Sequence, residues 1–167
     1  MQADSFPLPL VMRRPLVALH VFDSVSVALD AAQEHGVHHF PICDGERLLG
    51  MVCTCDLQEV ALESAVGELM RPAVTLPASS TTTDAAQLMR AADVGSVFVT
   101  DLRGAPCGIV TRGDLSGEPP VAAILEDCRC EACGTHRHLH RYGDQQLCFS
   151  CHERVAEPQA FETGGGD

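Results

Sequence analysis

The chain has 167 residues with 46% hydrophobic side chains, enough for one domain of ordinary size and a small appendage around a real core. Aromatics are 4% and Trp is absent, so that core is aliphatic. The formal charge is −12, from 23 acidic and 11 basic residues that are all Arg; the absence of Lys excludes Schiff-base lysine chemistry and a Walker-type phosphate loop, and the acidity argues against non-specific nucleic-acid binding.

Residues 1–11 form a Pro-bearing N-terminal lead-in. They carry Asp4 and no continuous apolar stretch of the kind a secretory signal needs, and no run approaches the ~18 residues of a membrane span. The expectation is a cytoplasmic protein without a membrane segment. Nine Cys in such a compartment point to metal sites rather than disulfides.

A segment of some fifty residues then occurs twice, over 15–57 and 72–115. Asp44 corresponds to Asp101 at an offset of 57 residues; Gly50 and Asp56 correspond to Gly108 and Asp114 at an offset of 58. Each copy predicts the same order. A short strand (Leu16–Leu19; Val74–Leu76) leads to a Ser/Thr cluster fit for helix N-capping (Ser24, Ser26; Thr81 to Thr83). An Ala-rich helix follows, ending near Gly36 or Gly95, and then a hairpin: Phe40–Cys43 with Leu48–Cys53, and Val97–Thr100 with Cys107–Thr111. A last helix is expected at Asp56-Leu57 and at Asp114-Leu115, and residues 58–71 read as a helix joining the copies. The order β-α-β-β-α, used twice, predicts α+β halves packed about a pseudo-two-fold axis, since one unit alone leaves a sheet face uncovered.

Pro119 and Pro120 end the second copy and open a linker with a short helix, 119–127. A cysteine module, 128–156, follows, and 157–167 read as a disordered tail. Cys130 and Cys133, then Cys148 and Cys151, are Cys-x-x-Cys pairs, with Gly134 where a tight turn needs positive φ. The fourteen residues between the pairs fit a hairpin through Tyr142, Gly143 and Asp144. Four thiolates at this spacing close a tetrahedral structural zinc site; Cys128 and His152 are alternative ligands. His136, His138 and His140 alternate along one strand face, which suits a solvated hairpin better than a second metal site.

The repeat, with "HHFPIC" and "GMVCTCDL" in the first copy and "GIVTRGDL" in the second, resembles a tandem CBS domain, or Bateman module, over about residues 12–118 (first unit 12–63, second 64–118). The resemblance implies a non-enzymatic module whose clefts bind adenosine compounds such as AMP, ADP, ATP or S-adenosylmethionine. The Thr and Asp of the strand-to-helix motif, here Thr111 and Asp114, would hold ribose and phosphates. Arg112 lies between them, and Val74, Thr75 and Val97 would line the adenine slot by analogy. In the first copy Cys53 stands in the Thr place and Thr54 is shifted by one; Asp56 remains. One competent site near the second copy and a weak or empty first site are expected. CBS pairs of this kind form homodimers through their helices, here expected around 58–70 and 114–125.

The cysteine segment is similar to zinc fingers of DksA/TraR type and to other treble-clef or ribbon modules. The leading expectation is therefore a regulatory or adaptor protein whose zinc module docks on an unknown protein partner or completes a dimer. The alternative is a transcription-associated zinc-finger protein that binds RNA polymerase or nucleic acid through Arg129, Arg137, Arg141 and Arg154.

Overall fold

The computed structural model describes residues 5–117, 119–126, 128–135 and 139–156. His136, Arg137, His138 and the tail 157–167 lie outside them. In the first half, strand β1 (Leu19–His20) leads to helix α1 (Val25–His35) and then to the hairpin of β2 (His39–Asp44) and β3 (Arg47–Cys53), in the sheet order β1-β2-β3. The second half repeats it with β4 (Thr75–Pro77), α2 (Thr82–Ala92), β5 (Ser96–Thr100) and β6 (Pro106–Thr111), in the order β4-β5-β6. In each sheet the first pairing is parallel and the second antiparallel, with a register shift at Ile42/Cys43 and at the equivalent Val99/Thr100.

The helix limits follow local chemistry. Ser24 accepts the Val27 N–H at 3.3 Å to start α1, and Gly36 at φ 64° ends it in the left-handed region that favours glycine. Thr81 and Asp84 form a reciprocal capping box at the start of α2. That helix stops at Ala92, with Asp93 left-handed at φ 51°, a little before the Gly95 expected from sequence.

Each half has its own core. The first gathers Leu19, Val25, Ala28, Phe40, Ile42, Val52, Leu57 and Val66. The second gathers Leu8, Ala85, Ala86, Met89, Val97, Val99 and Val110, with Leu115, Val121, Leu125 and Cys128. Phe98, between Val97 and Val99, faces the other side of its sheet and is still fully buried, so both faces of that sheet are covered.

The halves are tied by exchanged lead-ins. Leu8 sits before the first copy yet is buried in the second core; its N–H donates to the Ser80 carbonyl at 3.0 Å, and Thr82 N–H donates to the Phe6 carbonyl at 2.8 Å. The segment before the second copy does the reverse: Val66 is buried in the first core, its N–H donates to the Asp23 carbonyl, and Val25 N–H donates to the Ser64 carbonyl. The next residues bridge the hairpins, Arg13 with Ile109 and Arg71 with Met51. These bonds recur at an offset of 57 or 58 residues, as the pseudo-two-fold relation requires.

This pairing corrects the helix expected over 58–71. A 3₁₀ turn at Thr54–Leu57 ends at extended Gln58, Glu59 takes φ 61°, and only Val66–Glu68 coils again. Leu62, Ser64 and Val66 give their backbone groups to Asp23, Val25 and Ser26 instead of to one another, so tertiary pairing overrides helix propensity. The helices expected to begin at Asp56 and Asp114 begin earlier, at Thr54 and Arg112, with each Asp in the third position; the second is α3 (Arg112–Leu115).

Helix α4 (Pro119–Ile124) opens on its prolines, which need no N–H donor there. Val121 in it and Leu125 after it are fully buried, so one side of the stretch expected as linker and dimer surface packs into the core of the second half, while Ala123 stays exposed. The cysteine module comprises a turn at 131–133, a hairpin of β7 (Leu139–Tyr142) and β8 (Gln145–Cys148), and α5 (Phe149–Ala156). No helix among the described residues is long and apolar enough to cross a membrane.

Gly50 and Gly108 let the lead-ins approach. A Cβ at Gly50 would stand 2.7 Å from the Arg71 carbonyl oxygen, and one at Gly108 would run into the Met12 side chain. Gly50→Ala is expected to cost about 1–3 kcal/mol, because backbone must move. Chemical denaturation checks this; an unchanged midpoint would show that the Arg71 strand yields freely.

Candidate functional site

In the second half, Thr111 ends β6 and caps α3. Its N–H and hydroxyl donate to Asp114 Oδ2 at 2.9 and 2.7 Å, and its oxygen accepts the Asp114 N–H at 3.4 Å. Arg13 Nε donates to Asp114 Oδ1 at 2.7 Å. The Asp114 side chain is 11% exposed and that of Arg13 58%, so a nearly buried carboxylate has one oxygen held by an arginine that water reaches freely.

The first half builds the same device with one substitution. Cys53 caps the Thr54–Leu57 turn where Thr111 caps α3, Asp56 accepts the Cys53 N–H at 3.2 Å, and Arg71 Nη2 donates to Asp56 at 2.7 Å. Arg71 is Arg13 shifted by 58 residues, like Asp56 and Asp114. Sequence reasoning did not single out either arginine, although carrying the repeat upstream of residue 15 aligns them. The displaced hydroxyl of Thr54 lies 3.3 Å from His38 Nδ1.

The other nucleotide candidates do not gather around Asp114. Arg112 is turned inward: it is 2% exposed, and its guanidinium lies 3.7 Å from Asp93 at the end of α2. Burial lowers its pKa, against the opposing influence of Cys128 and Asp93. Val97 is fully buried on the helix side of its sheet, so it lines no slot, and Val74 packs against the same core. Thr75 lines a groove of about 650 Å³ with Pro72, Ala73, Arg103 and the first-half turn at Glu46 and Arg47. Arg103 spans that groove to Glu46 at 3.0 Å. Thr111 is at the far end of β6 from the turn carrying Arg103, roughly 17 Å along a strand of that length.

Cys130, Cys133, Cys148 and Cys151 converge, with all four sulfurs within 4.8 Å of one another. Cys133 and Cys148 are 3.7 Å apart. Tetrahedral zinc with Zn–S bonds of about 2.3 Å needs sulfurs roughly 3.8 Å apart, so the donor set fits that ion. Burial acts to raise the Cys130 thiol, but the N–H groups of Cys148, Cys133 and Ala132 outweigh it and bring it down to about 6. Cys151 is pushed up to about 12 by sharing a hydrogen bond with Cys148 and by burial. Arg154 donates to the Cys151 sulfur at 3.1 Å. The alternative ligands are placed elsewhere: Cys128 packs in the second core, and His152 stacks on Tyr142 with ring centroids 3.5 Å apart.

Two βαββα units closed by each other's lead-ins, each with a capped carboxylate at the strand-to-helix junction, define a paired module built on an internal repeat. The sequence profile of the CBS domain matches residues 10–63 and 66–119, and the chain belongs to the CBS domain family. A CBS domain-containing protein of Dictyostelium discoideum is 26% identical over 123 residues, 63% of this chain and 85% of that protein. Among solved structures, a CBS domain protein of Pyrobaculum aerophilum complexed with AMP superposes with a TM-score of 0.65 at 18% identity, covering 72% of this chain and 98% of that one. A CBS domain pair in complex with 5′-methylthioadenosine and S-adenosyl-L-methionine gives 0.63 at 22% identity, over 68% and 95%. The CBS domain of a bacterial CNNM/CorC Mg²⁺ transporter in complex with ATP gives 0.61 at 21%, over 68% and 86%. Likeness at this identity establishes the fold.

Proposed function

We propose that the protein is a regulatory adaptor that senses an adenosine nucleotide, AMP, ADP, ATP or S-adenosylmethionine, at Thr111 and Asp114, with a structural zinc held by Cys130, Cys133, Cys148 and Cys151. The carrying observation is the state of Asp114. Thr111 fixes one carboxylate oxygen and, among the described residues, the exposed Arg13 alone holds the other. A ribose offers two hydroxyls to such a carboxylate, and Arg13, once released, is a cation for the phosphates. The nucleotides bound by the structural relatives support this choice of ligand. In the first half Cys53 replaces the hydroxyl, so Asp56 serves a weak site or none.

The cysteine module docks on a partner or supports a homodimer. Of the dimer surfaces expected from sequence, 58–70 forms no continuous helix and 114–125 turns Val121 and Leu125 inward, whereas Phe22, Val27 and Leu62 of the first half are exposed. A monomer by light scattering at micromolar concentration argues against the dimer.

Calorimetry on zinc-loaded protein tests the ligand. Asp114→Asn keeps the side-chain shape and removes the charge, and is expected to weaken nucleotide binding by about 1.5–3 kcal/mol, roughly ten- to 150-fold. Arg112→Met is expected to leave affinity unchanged, because Arg112 faces the interior. No heat from any of the four ligands would overturn the proposal.

A further inference from the structure

A second cluster of metal donors lies outside the four-cysteine centre. Cys53 Sγ, Cys55 Sγ and a ring nitrogen of His140 lie within 4.8 Å of one another. They come from segments far apart in sequence: Cys53 ends β3, Cys55 is in the turn after it, and His140 is on β7 of the cysteine module. Cys55 Sγ and His140 Nδ1 are 3.9 Å apart. Zinc bonds of about 2.3 Å to sulfur and 2.0–2.1 Å to nitrogen at the tetrahedral angle place such a pair roughly 3.5 Å apart, so a few tenths of an ångström of closure would complete the bonds.

We propose that Cys53, Cys55 and His140 form a second metal site, for a thiophilic divalent cation of the zinc class, that clamps the cysteine module onto the first CBS unit.

Four observations support it. Cys53 stands where the second unit has Thr111, so the first unit offers a soft sulfur where the second offers a hydroxyl, and soft sulfur with imidazole selects zinc-like cations. The donors are also shielded from bulk water: Cys53 is 2% exposed, and Cys55 and His140 are half-buried. His39 pairs with Cys53 across β2 and β3, which puts an imidazole beside that sulfur from the scaffold side. Finally, the three donors line one cavity of about 400 Å³ between the module and the first unit, with His38, Thr54, Gln58, Thr135 and Phe149. Three protein ligands leave a fourth position that opens into this cavity, unlike the closed four-cysteine centre. The cation occupies the first unit's counterpart of the Thr111–Asp114 seat, so that unit holds metal where the second holds nucleotide. This last step rests on the nucleotide reading; the metal site itself does not.

The test is zinc stoichiometry of the reduced full chain by native mass spectrometry, joined to X-ray absorption at the zinc edge. Two zinc ions per chain are expected, with an average first shell of three sulfurs per ion. Cys55→Ser and His140→Ala should each bind one zinc with four sulfurs. Cys133→Ser reports separately on the four-cysteine centre. Alkylation gives a second readout that does not depend on how a variant folds: in the native chain, zinc should slow modification of Cys55 at least tenfold, and His140→Ala should remove that protection while Cys130 and Cys148 stay protected. One zinc per chain with four sulfurs, retained in His140→Ala and lost in Cys133→Ser, would overturn the second site and leave the four-cysteine centre standing. So would equal alkylation of Cys55 with and without zinc.

Discussion

Removing zinc from the four-cysteine centre is expected to unfold the module beyond Cys128 and to leave the CBS pair, with Cys128 in its second core, folded. The buried core of the module is Cys130, Leu147, Cys148 and Cys151, with Leu139 and Tyr142 partly buried against it. Three of its four buried residues are thiols, so the apolar contribution is close to one Leu. A segment this short, below about 40 residues, seldom stands on a core alone. Apparent zinc binding energies of about 10–16 kcal/mol are folding energy in such modules. Once chelation has removed metal from both sites, the remaining links from the module to the rest of the chain, among them the Cys55–His140 contact at 3.9 Å, do not compensate. Arg141 lies 3.7 Å from Asp93 with both side chains more than half exposed, a pair of the kind that contributes little. The CBS halves have separate cores that include none of these four cysteines. Hydrogen exchange after chelation should show lost protection over 139–154 with protection over β2, β3, β5 and β6 retained, and Cys130→Ser should reproduce it. Unchanged protection over 139–154 in fully metal-free protein would show that the module folds without the ion.

What the sequence revealed follows the range of the interactions involved. Ser24 and Thr81 cap helices through bonds three residues long, and the two hairpins close over short turns, so local pattern was sufficient. The Cys-x-x-Cys pairs carry their own spacing. Interactions across the chain were hidden. The lead-in docks on residues some 75 positions away, as in Phe6 N–H to Thr82 Oγ1, and nothing within residues 5–12 signals it. Residues 58–71 have helical composition but spend their backbone groups on the start of α1, on Val21 and Asp23 before it, and on Met51 of β3. Val97 lies in an apolar run, Val97 to Val99, whose two faces are both buried, so alternation could not say which face meets the helix. Cys55 and His140 are 85 residues apart, and only the docking of the module brings them together.

Leu8→Ala is expected to destabilise the protein by about 2–5 kcal/mol, the range for truncating a fully buried Leu. That equals roughly 4–20 °C in Tm for a chain of this size. The side chain is fully buried among Ala85, Ala86, Met89 and Val110, although the residue precedes the first repeat and lies near the N-terminus. It also begins the turn that aims Arg13, since Val11 and Met12 donate to the Leu8 carbonyl at 3.0 and 2.9 Å. Loss of the anchor therefore loosens the Arg13–Asp114 contact as well as the core. Val66 is the counterpart in the first half, and Val66→Ala should cost less, about 1.6 kcal/mol from transfer alone at about 0.8 kcal/mol per methylene. Leu10 provides the control within the same segment: it is 73% exposed, so Leu10→Ala should leave the midpoint unchanged. Equal midpoints for Leu8→Ala and Leu10→Ala in calorimetric unfolding would mean that the lead-in only rests on the second half. A large drop for Leu8→Ala alone would make the exchanged lead-ins the bond between the halves, and would explain why a carboxylate in one unit is read by an arginine that precedes the other.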